Sequence, residues 1–480
     1  MIHLVRNSFF VFLLSVANLS LAQDLTSILE NAANQEAFWS ISVRDSDGII
    51  LEEFNSGKLI IPASNQKLFT TAAILDGLGS DFRFTTNIYG QGSLKDSVWE
   101  GDLIIKGSGD PSISGFMYDG DREYVFDSFL RQLTNNGIKS YSGNIKVDVS
   151  YFDNQRYPKG WDWDDLSFYY GVEISPLSFN NNAVDLVVDA DGEIGAKPRI
   201  SWFPEYGSLF EFINEQEIVE ADREYDEFYR RELGSHRILL KSKLPQGYLE
   251  EESLSINQAQ VFFIDSFEGF LRQAYMLNLN PQEVYGENVA TESFSDLVTL
   301  ASHTSEPLSR LIEWTNKESD NFYTEMLLKT LAAEKFGVPG TFDDGVKEVR
   351  NFLANLEIDT TYVIMKDGSG MASGNFTKTS ILSEFLYKMQ NHPEFSAFYN
   401  SMSIAGVDGT IGHRMRGTTL QNNFKGKSGY VGGVRTLSGY MTTSSGRELI
   451  VSMAANNFIG KVRPIDAVHE RILNYLYEKY

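Results

Sequence analysis

Ser64 and Lys67 stand three residues apart at the start of an apolar, helix-periodic run, which puts a hydroxyl and an amine on one face about a turn apart. A serine hydroxyl is a poor nucleophile until a base takes its proton, and a neighbouring lysine held neutral can do so. Ser-x-x-Lys is a short pattern, and taken alone it is better accounted for by an ordinary helix-start serine beside a surface lysine. Two other groups carry related chemistry. Ser319-Asp320-Asn321 precedes the amphipathic start Phe322–Leu328 and can complete a polar cluster at a cleft wall. Its plain alternative is a helix cap, which Ser, Asp and Asn favour, and Ser-x-Asn also begins at Ser142, Ser178, Ser255 and Ser373. Lys427-Ser428-Gly429 is the one Lys-Ser/Thr-Gly of the chain and leads into Tyr430 on a predicted strand. A cation, a hydroxyl and a glycine at a strand edge suit a substrate carboxylate and a closely approaching peptide backbone, whereas the simpler reading is a hairpin with an exposed lysine. Asp367-Gly368-Ser369-Gly370 fails the Gly-x-Ser-x-Gly nucleophile pattern at position 367 and reads as a turn flanking the cleft.

The elements that must position these groups are legible from periodicity. A helix is expected over Asp24–Asn34, strands over Phe38–Val43 and Ile49–Phe54 around the turn cluster Asp45–Gly48, and a buried helix over Pro62–Leu75. From about Phe84 to Asn280 the texture is short β-like runs broken by Gly, Asp and Asn, and the acidic stretch Glu215–Glu232 reads as a solvated surface. Helical texture returns at Phe294–Ala301, Leu308–Trp314 and Asn321–Phe336. Strands follow at Phe424–Ser428, Gly433–Met441 and Leu449–Ala455, and a last helix at Ile465–Tyr477. Strands at both ends around a β-rich middle point to one domain, residues 23–84 and 285–480, interrupted by a β-rich insertion, residues 85–284, of two subdomains. Domains laid end to end are the competing arrangement.

Composition narrows the chemistry further. The chain has 480 residues, 65 acidic against 41 basic side chains, six histidines and no cysteine. The charge disfavours nucleic acid, whose binding relies on Lys and Arg replacing phosphate counterions, and an anionic membrane surface likewise. Without cysteine there is no thiol nucleophile, disulfide, Fe–S cluster or Cys-ligated zinc. The histidines show no HExxH or HxH pairing, so neither metal nor cofactor is expected. Residues 1–22 carry Arg6, an apolar run Phe9–Leu21 and the small-x-small end Ser20-Leu21-Ala22, the layout of a cleaved export signal. The alternative, a membrane anchor, needs about 20 apolar residues, more than this run supplies. A periplasmic location with no stable membrane anchor is the expectation.

Ser-x-x-Lys, then Ser-x-Asn, then Lys-Ser/Thr-Gly, in that order, is the signature set of penicillin-binding proteins and serine β-lactamases. The first interval is far longer than in compact β-lactamases, in keeping with an insertion. The chain resembles the D-alanyl-D-alanine carboxypeptidase/endopeptidase family of class C low-molecular-mass penicillin-binding proteins. The resemblance runs through Gly101–Pro111 (GDLIIKGSGDP), Gly160–Leu166 (GWDWDDL), Ser175–Asn180 (SPLSFN), Asp367–Ser373 (DGSGMAS), Ala405–Thr410 (AGVDGT) and Gly426–Tyr440 (GKSGYVGGVRTLSGY). It implies an α/β (α+β) fold, a transpeptidase-like antiparallel sheet flanked by helices and interrupted by the insertion. It also implies peptidoglycan stem peptides as substrate and β-lactams as acylating inhibitors.

Carried over motif by motif, the resemblance makes Ser64 the nucleophile and Lys67 its base, with Lys427 opposing a second ammonium and so lowering the proton affinity of Lys67. Ser319 and Asn321 relay the proton to the leaving amine and orient the substrate amide. Lys427 and Ser428 hold the terminal carboxylate beside Gly429, and the backbone N–H groups of Ser64 and Tyr430 form the oxyanion hole. Two positions depart from the family: Ser428 replaces the usual threonine and keeps its hydroxyl, while Tyr430 displaces a short hydroxyl that would face the carboxylate. The Trp161–Asp165 segment, otherwise a packed loop, offers Asp165 as a receptor for the free amine of a diamino acid in the stem peptide. The rival readings are a β-lactamase or esterase on the same three motifs, a non-catalytic wall-binding protein, and a generic exported sugar- or peptide-binding protein with accidental motifs.

Overall fold

The structure is a computed structural model that describes residues 24–30, 36–206, 209–280 and 297–480. The proposed export segment lies outside these residues, as do positions 31–34 of the first expected helix, of which Leu25–Glu30 is described. Phe38–Asp45 (β1) and Ile50–Phe54 (β2) pair antiparallel. The Asp45 carboxylate accepts from the N–H groups of Asp47 (3.1 Å) and Ile49 (2.9 Å) and Gly48 takes φ 83°, so the acidic cluster turns the chain back. A 3-10 turn, Ala63–Asn65, leads into Gln66–Leu78 (α1), which is buried on every side from Gln66 to Leu75.

The chain then builds a second body. Thr85–Lys95 (β3) and Val98–Lys106 (β4) start one sheet, and Tyr124–Asn135 (α2) follows. Ala183–Asp189 (β5), Arg199–Phe203 (β6) and Leu249–Ser255 (β7) make a three-stranded antiparallel sheet in the order β7-β5-β6. Ala259–Gln273 (α3) packs beneath them, and Val298–Thr304 (β8) returns to pair with β3. Phe126 and Phe129 of α2, Phe179, and Phe262, Phe263 and Phe267 of α3 are all fully buried and form the centre of this body.

Two expectations need correction here. Phe294–Ala301 reads as helical, yet its described part belongs to strand β8. Apolar residues at 294, 297, 298 and 301 imitate a helical face, and a register shift at Thr299/Ala301 turns both Leu300 and Ala301 inward, which breaks the alternation of a regular strand. The stretch Glu215–Glu232 is solvated only in part. Ile218 and Tyr229 are buried, and so is Arg231, whose guanidinium donates to the Leu166 carbonyl (2.8 Å) and the Ser255 hydroxyl (3.2 Å).

The chain comes back through Leu308–Lys317 (α4), Asn321–Phe336 (α5), Phe342–Asn355 (α6) and Thr379–Met389 (α7). Ser403–Ile404 (β9), Phe424–Val431 (β10), Val434–Thr442 (β11) and Glu448–Asn456 (β12) follow, then Arg463–Lys479 (α8). The six strands of this body run antiparallel in the order β9-β10-β11-β12-β1-β2. Ile41, Val43, Leu437 and Met453 face Val468, Ile472 and Leu476 of α8 on one side. On the other side α7 is tied to β1 by buried hydroxyl pairs, Ser40 with Thr379 (2.7 Å) and Ser42 with Ser383 (2.8 Å), beside the core that α1 and α5 share. Among the described residues no helix is long and apolar enough to cross a membrane.

Candidate active site

Ser64 lies on the 3-10 turn that opens α1, and Lys67 one turn further on is fully buried. The Lys67 ammonium nitrogen donates to Ser64 Oγ (3.2 Å), Asn321 Oδ1 (2.6 Å) and the Ser369 carbonyl (2.9 Å). Burial brings its proton affinity down to about 8, against the pull of Asp367, Glu325 and Asp320. A lysine so placed releases its proton near neutrality, as a base for a serine hydroxyl must.

The Ser319–Asn321 wall is set by the start of α5. Asp320 caps the helix by accepting from the Tyr323 N–H (2.9 Å) and takes a second bond from Trp314 Nε1 (3.1 Å). Ser319 sits at φ 63°, a conformation that a serine adopts only where neighbours impose it. Its hydroxyl accepts from Lys427 Nζ (2.8 Å), while Asn321 donates to the Tyr170 carbonyl (3.0 Å). The three motifs therefore converge, with each lysine serving a different pair: Lys67 with Ser64 and Asn321, Lys427 with Ser319 and the Ser428 carbonyl (2.9 Å).

Burial is the first cause of the depressed proton affinity of Lys67. Lys427 is held well below the usual lysine range by burial and then by the Lys67 and Arg435 charges, so the two ammonium groups oppose each other. Lys427 has no exposed surface and donates to Ser319 and to the Ser428 carbonyl, with one donor of its ammonium left over.

The strand edge supplies the other wall. Strand β9 pairs only with Lys425 and Gly426, so the edge of β10 from Lys427 onward faces the cleft. A Cβ on Gly429 would lie 2.8 Å from the Ser64 nitrogen and 2.3 Å from Thr436 Oγ1, so only glycine lets β10 come this close to the serine. Tyr430, the next residue, is 56% exposed. Ser428 Oγ donates to Thr410 Oγ1 (2.8 Å), leaving the Thr410 proton free to face outward. Asp165 lies on a short turn, Asp165–Ser167, and approaches the centre through Tyr170. Burial and then Asp162 raise its carboxyl above the ordinary range.

Several residues at this site carried no assigned role in the sequence. The turn Asp367–Gly370 underlies Lys67. Gly370, at φ 86°, passes so close to the Ala63 carbonyl that a Cβ would collide with it at 1.9 Å. Asp367 accepts from Gly370 N (2.8 Å), Ala372 N (2.7 Å), Asn375 Nδ2 (2.8 Å) and Trp161 Nε1 (2.9 Å), the last reaching in from the second body. Glu325, fully buried, accepts from the N–H groups of Gly368 (3.0 Å) and Ser369 (2.7 Å), and burial followed by the Asp367 charge raises it to about 8. Thr410 and Asp367 stand in stretches that carried the resemblance, but only their contacts show what they touch.

Comparison with known proteins bears on this arrangement. A family model described as the D-Ala-D-Ala carboxypeptidase 3 (S13) family matches residues 21–471. A D-alanyl-D-alanine carboxypeptidase of Actinomadura sp. (strain R39) is 27% identical over 478 residues, 95% of this chain and 85% of the relative. The D-alanyl-D-alanine carboxypeptidase DacB of Haemophilus influenzae is 26% identical over 461 residues, 93% of this chain and 91% of that one. The crystal structure of penicillin binding protein 4 (DacB) from Haemophilus influenzae superposes with a TM-score of 0.79 at 23% identity, over 94% of this chain and 99% of that one, and so shares the fold.

Proposed function

The chain belongs to the D-Ala-D-Ala carboxypeptidase 3 (S13) family, and on that premise we propose that it hydrolyses the D-alanyl-D-alanine bond of peptidoglycan stem peptides through an acyl-enzyme on Ser64. The observation that carries this reading is the Lys67 amine, buried, 3.2 Å from Ser64 Oγ and lowered to about 8. Ser64 Oγ attacks the carbonyl carbon of the penultimate D-alanine as Lys67 Nζ takes its proton. The tetrahedral oxyanion is held by the N–H groups of Ser64 and Tyr430, a role that uses only main chain at position 430. Collapse breaks the C–N bond as the proton that Lys67 took from Ser64 is relayed through the Ser319 hydroxyl to the leaving amine, which leaves Lys67 neutral again, while Lys427 donates to Ser319. The Thr410 hydroxyl, which accepts from Ser428 and keeps its own proton, donates to the terminal carboxylate in place of the short hydroxyl that Tyr430 displaces, with Ser428 and Lys427 supporting it. That negative charge raises the proton affinity of Lys427 and keeps it charged as a donor to Ser319. Water, deprotonated by Lys67, then cleaves the ester and frees Ser64.

When the departing amine belongs to a cross-linking peptide, the same bonds form and break and the enzyme acts as an endopeptidase. Asp165 receives the amine of a diamino acid at the third stem position, supported by its half-buried place beside Tyr170. An Asp165→Ala variant should lose its preference for diamino-acid over amine-blocked substrates. Unchanged rates on both would remove that assignment. The enzyme works outside the cytoplasm after loss of residues 1–22, and β-lactams trap Ser64 as a slowly hydrolysed ester. The test is labelling of the mature protein by a fluorescent penicillin together with D-alanine release from a pentapeptide. Both should vanish in Ser64→Ala, and a Ser64→Ala protein that still labels would identify another nucleophile.

A further inference from the structure

A cleft of the second body, about 610 Å³, is lined by Phe116, Arg122, Asn180 and Asp185. Its floor is the outward face of the β7-β5-β6 sheet, where Phe203 and Ser253 flank Asp185 in register. Phe116 and Arg122 come over it from the loop that follows β4. Two contacts tie the cleft to the active centre. Phe116 stacks on Trp314 with ring centroids 4.5 Å apart, and Trp314 donates to Asp320. Asn180 lines the cleft with its amide on Asp185 (3.0 Å), while Asn181 donates to Asp320 Oδ2 (3.4 Å). Asp320 sits between Ser319 and Asn321, so a ligand in this cleft adjoins the residues proposed to handle the leaving amine and the substrate amide.

The lining defines what fits. Arg122 is already neutralised by Asp185 (3.0 Å) and lies over the Phe203 ring at 4.8 Å, so it offers no free charge to an anion. Phe116 is half exposed and presents an open ring face. Glu251, opposite Val187 on the same face as Asp185 and Ser253, is exposed and accepts hydrogen bonds. An open aromatic face, the carboxylates of Glu251 and Asp185 and no unpaired cation suit a neutral ligand with an apolar face and many hydroxyl or amide donors. A second stem peptide, with its free carboxylates, meets repulsion here.

We propose that this cleft holds an N-acetylated amino-sugar unit of the glycan strand from which the stem peptide hangs, an inference that rests on the peptidoglycan reading above. The glycan fits because its peptide-bearing sugar has its carboxyl consumed in the amide link, so the polymer approaches uncharged. The cleft thus sorts substrates by what stands behind the peptide and leaves the reacting bond to the active centre.

The experiment compares D-alanine release from a free pentapeptide and from the same pentapeptide carried on its N-acetylated disaccharide. The disaccharide should lower KM by about tenfold, equivalent to roughly 1.4 kcal/mol, with kcat unchanged. Glu251→Gln and Phe116→Ala should each erase that gain while the free pentapeptide and penicillin labelling keep their rates. Equal KM values for the two substrates in the unmodified enzyme, or a gain that survives both substitutions, overturns the proposal. A second measurement is independent of catalysis: saturation-transfer NMR of the disaccharide with its carboxyl capped as a simple amide, in the presence of Ser64→Ala protein, should give a signal that Phe116→Ala removes. No signal there overturns the sugar site. Lack of D-alanine release from both substrates would instead overturn the carboxypeptidase reading.

Discussion

Lys67 makes its three hydrogen bonds from a position without exposed surface, and burial brings its proton affinity down to about 8. The active form is the neutral amine, whose share grows as pH rises through that value. Acylation by penicillin and D-alanine release should therefore both climb between about pH 6 and pH 8, by roughly tenfold per unit at the acid end, and then level off. A flat profile over that window, read by labelling rates, removes Lys67 as the base. Lys67→Arg keeps the charge and the bulk but cannot give up its proton. It should lower the acylation rate by about a hundredfold or more while the protein stays folded by circular dichroism. Thr410 makes a narrower prediction. Thr410→Val should raise KM about tenfold for a peptide ending in a carboxylate, from the loss of a hydrogen bond to a charged group, and leave the matching carboxamide unaffected. Equal effects on the two peptides would place Thr410 outside carboxylate recognition.

At the scale of elements, the site depends on how closely β10 can approach the turn that opens α1. Gly429→Ala puts a methyl group 2.8 Å from the Ser64 nitrogen and 2.3 Å from Thr436 Oγ1, so strand and serine must separate. Acylation should fall by about a hundredfold, the size of effect seen when an oxyanion donor is lost, and retention of the full rate would show that the strand does not shape the site. Both elements were legible in the sequence because their patterns are local. The Pro62–Leu75 run opens on proline and repeats apolar residues at Leu68, Ala72 and Leu75, the Phe424–Ser428 run ends on a Gly-rich turn, and Ser319-Asp320-Asn321 stands where a helix cap should be. What could not be read is whatever depends on distant partners. Glu325 looks like any helix glutamate until the Gly368 and Ser369 N–H groups are seen to close on it, and Lys427 looks like a surface lysine until burial and Ser319 account for it. Strand β8 was misread because its bulge imitates a helical face.

The whole molecule has separate apolar centres. One surrounds Phe126, Phe179 and Phe263 in the second body, and the others lie on the two faces of the six-stranded sheet. Phe126→Ala should cost about 3–5 kcal/mol and draw the unfolding of the second body to lower temperature as a distinct calorimetric step. A single transition shifted as a unit would mean the centres melt together. The strand order has a further consequence. Strand β1 lies against β12, with Phe38 opposite Asn456 and Asp45 opposite Leu449, so one of the earliest segments to be synthesised pairs with one of the latest. The helix carrying Ser64 is made early, but its sheet cannot close until about the last thirty residues are being delivered. A chain cut short before Glu448 should take up no penicillin. The fold thereby sets a schedule: a hydrolase able to cut the wall stays inert throughout its own synthesis and becomes competent only at its final step.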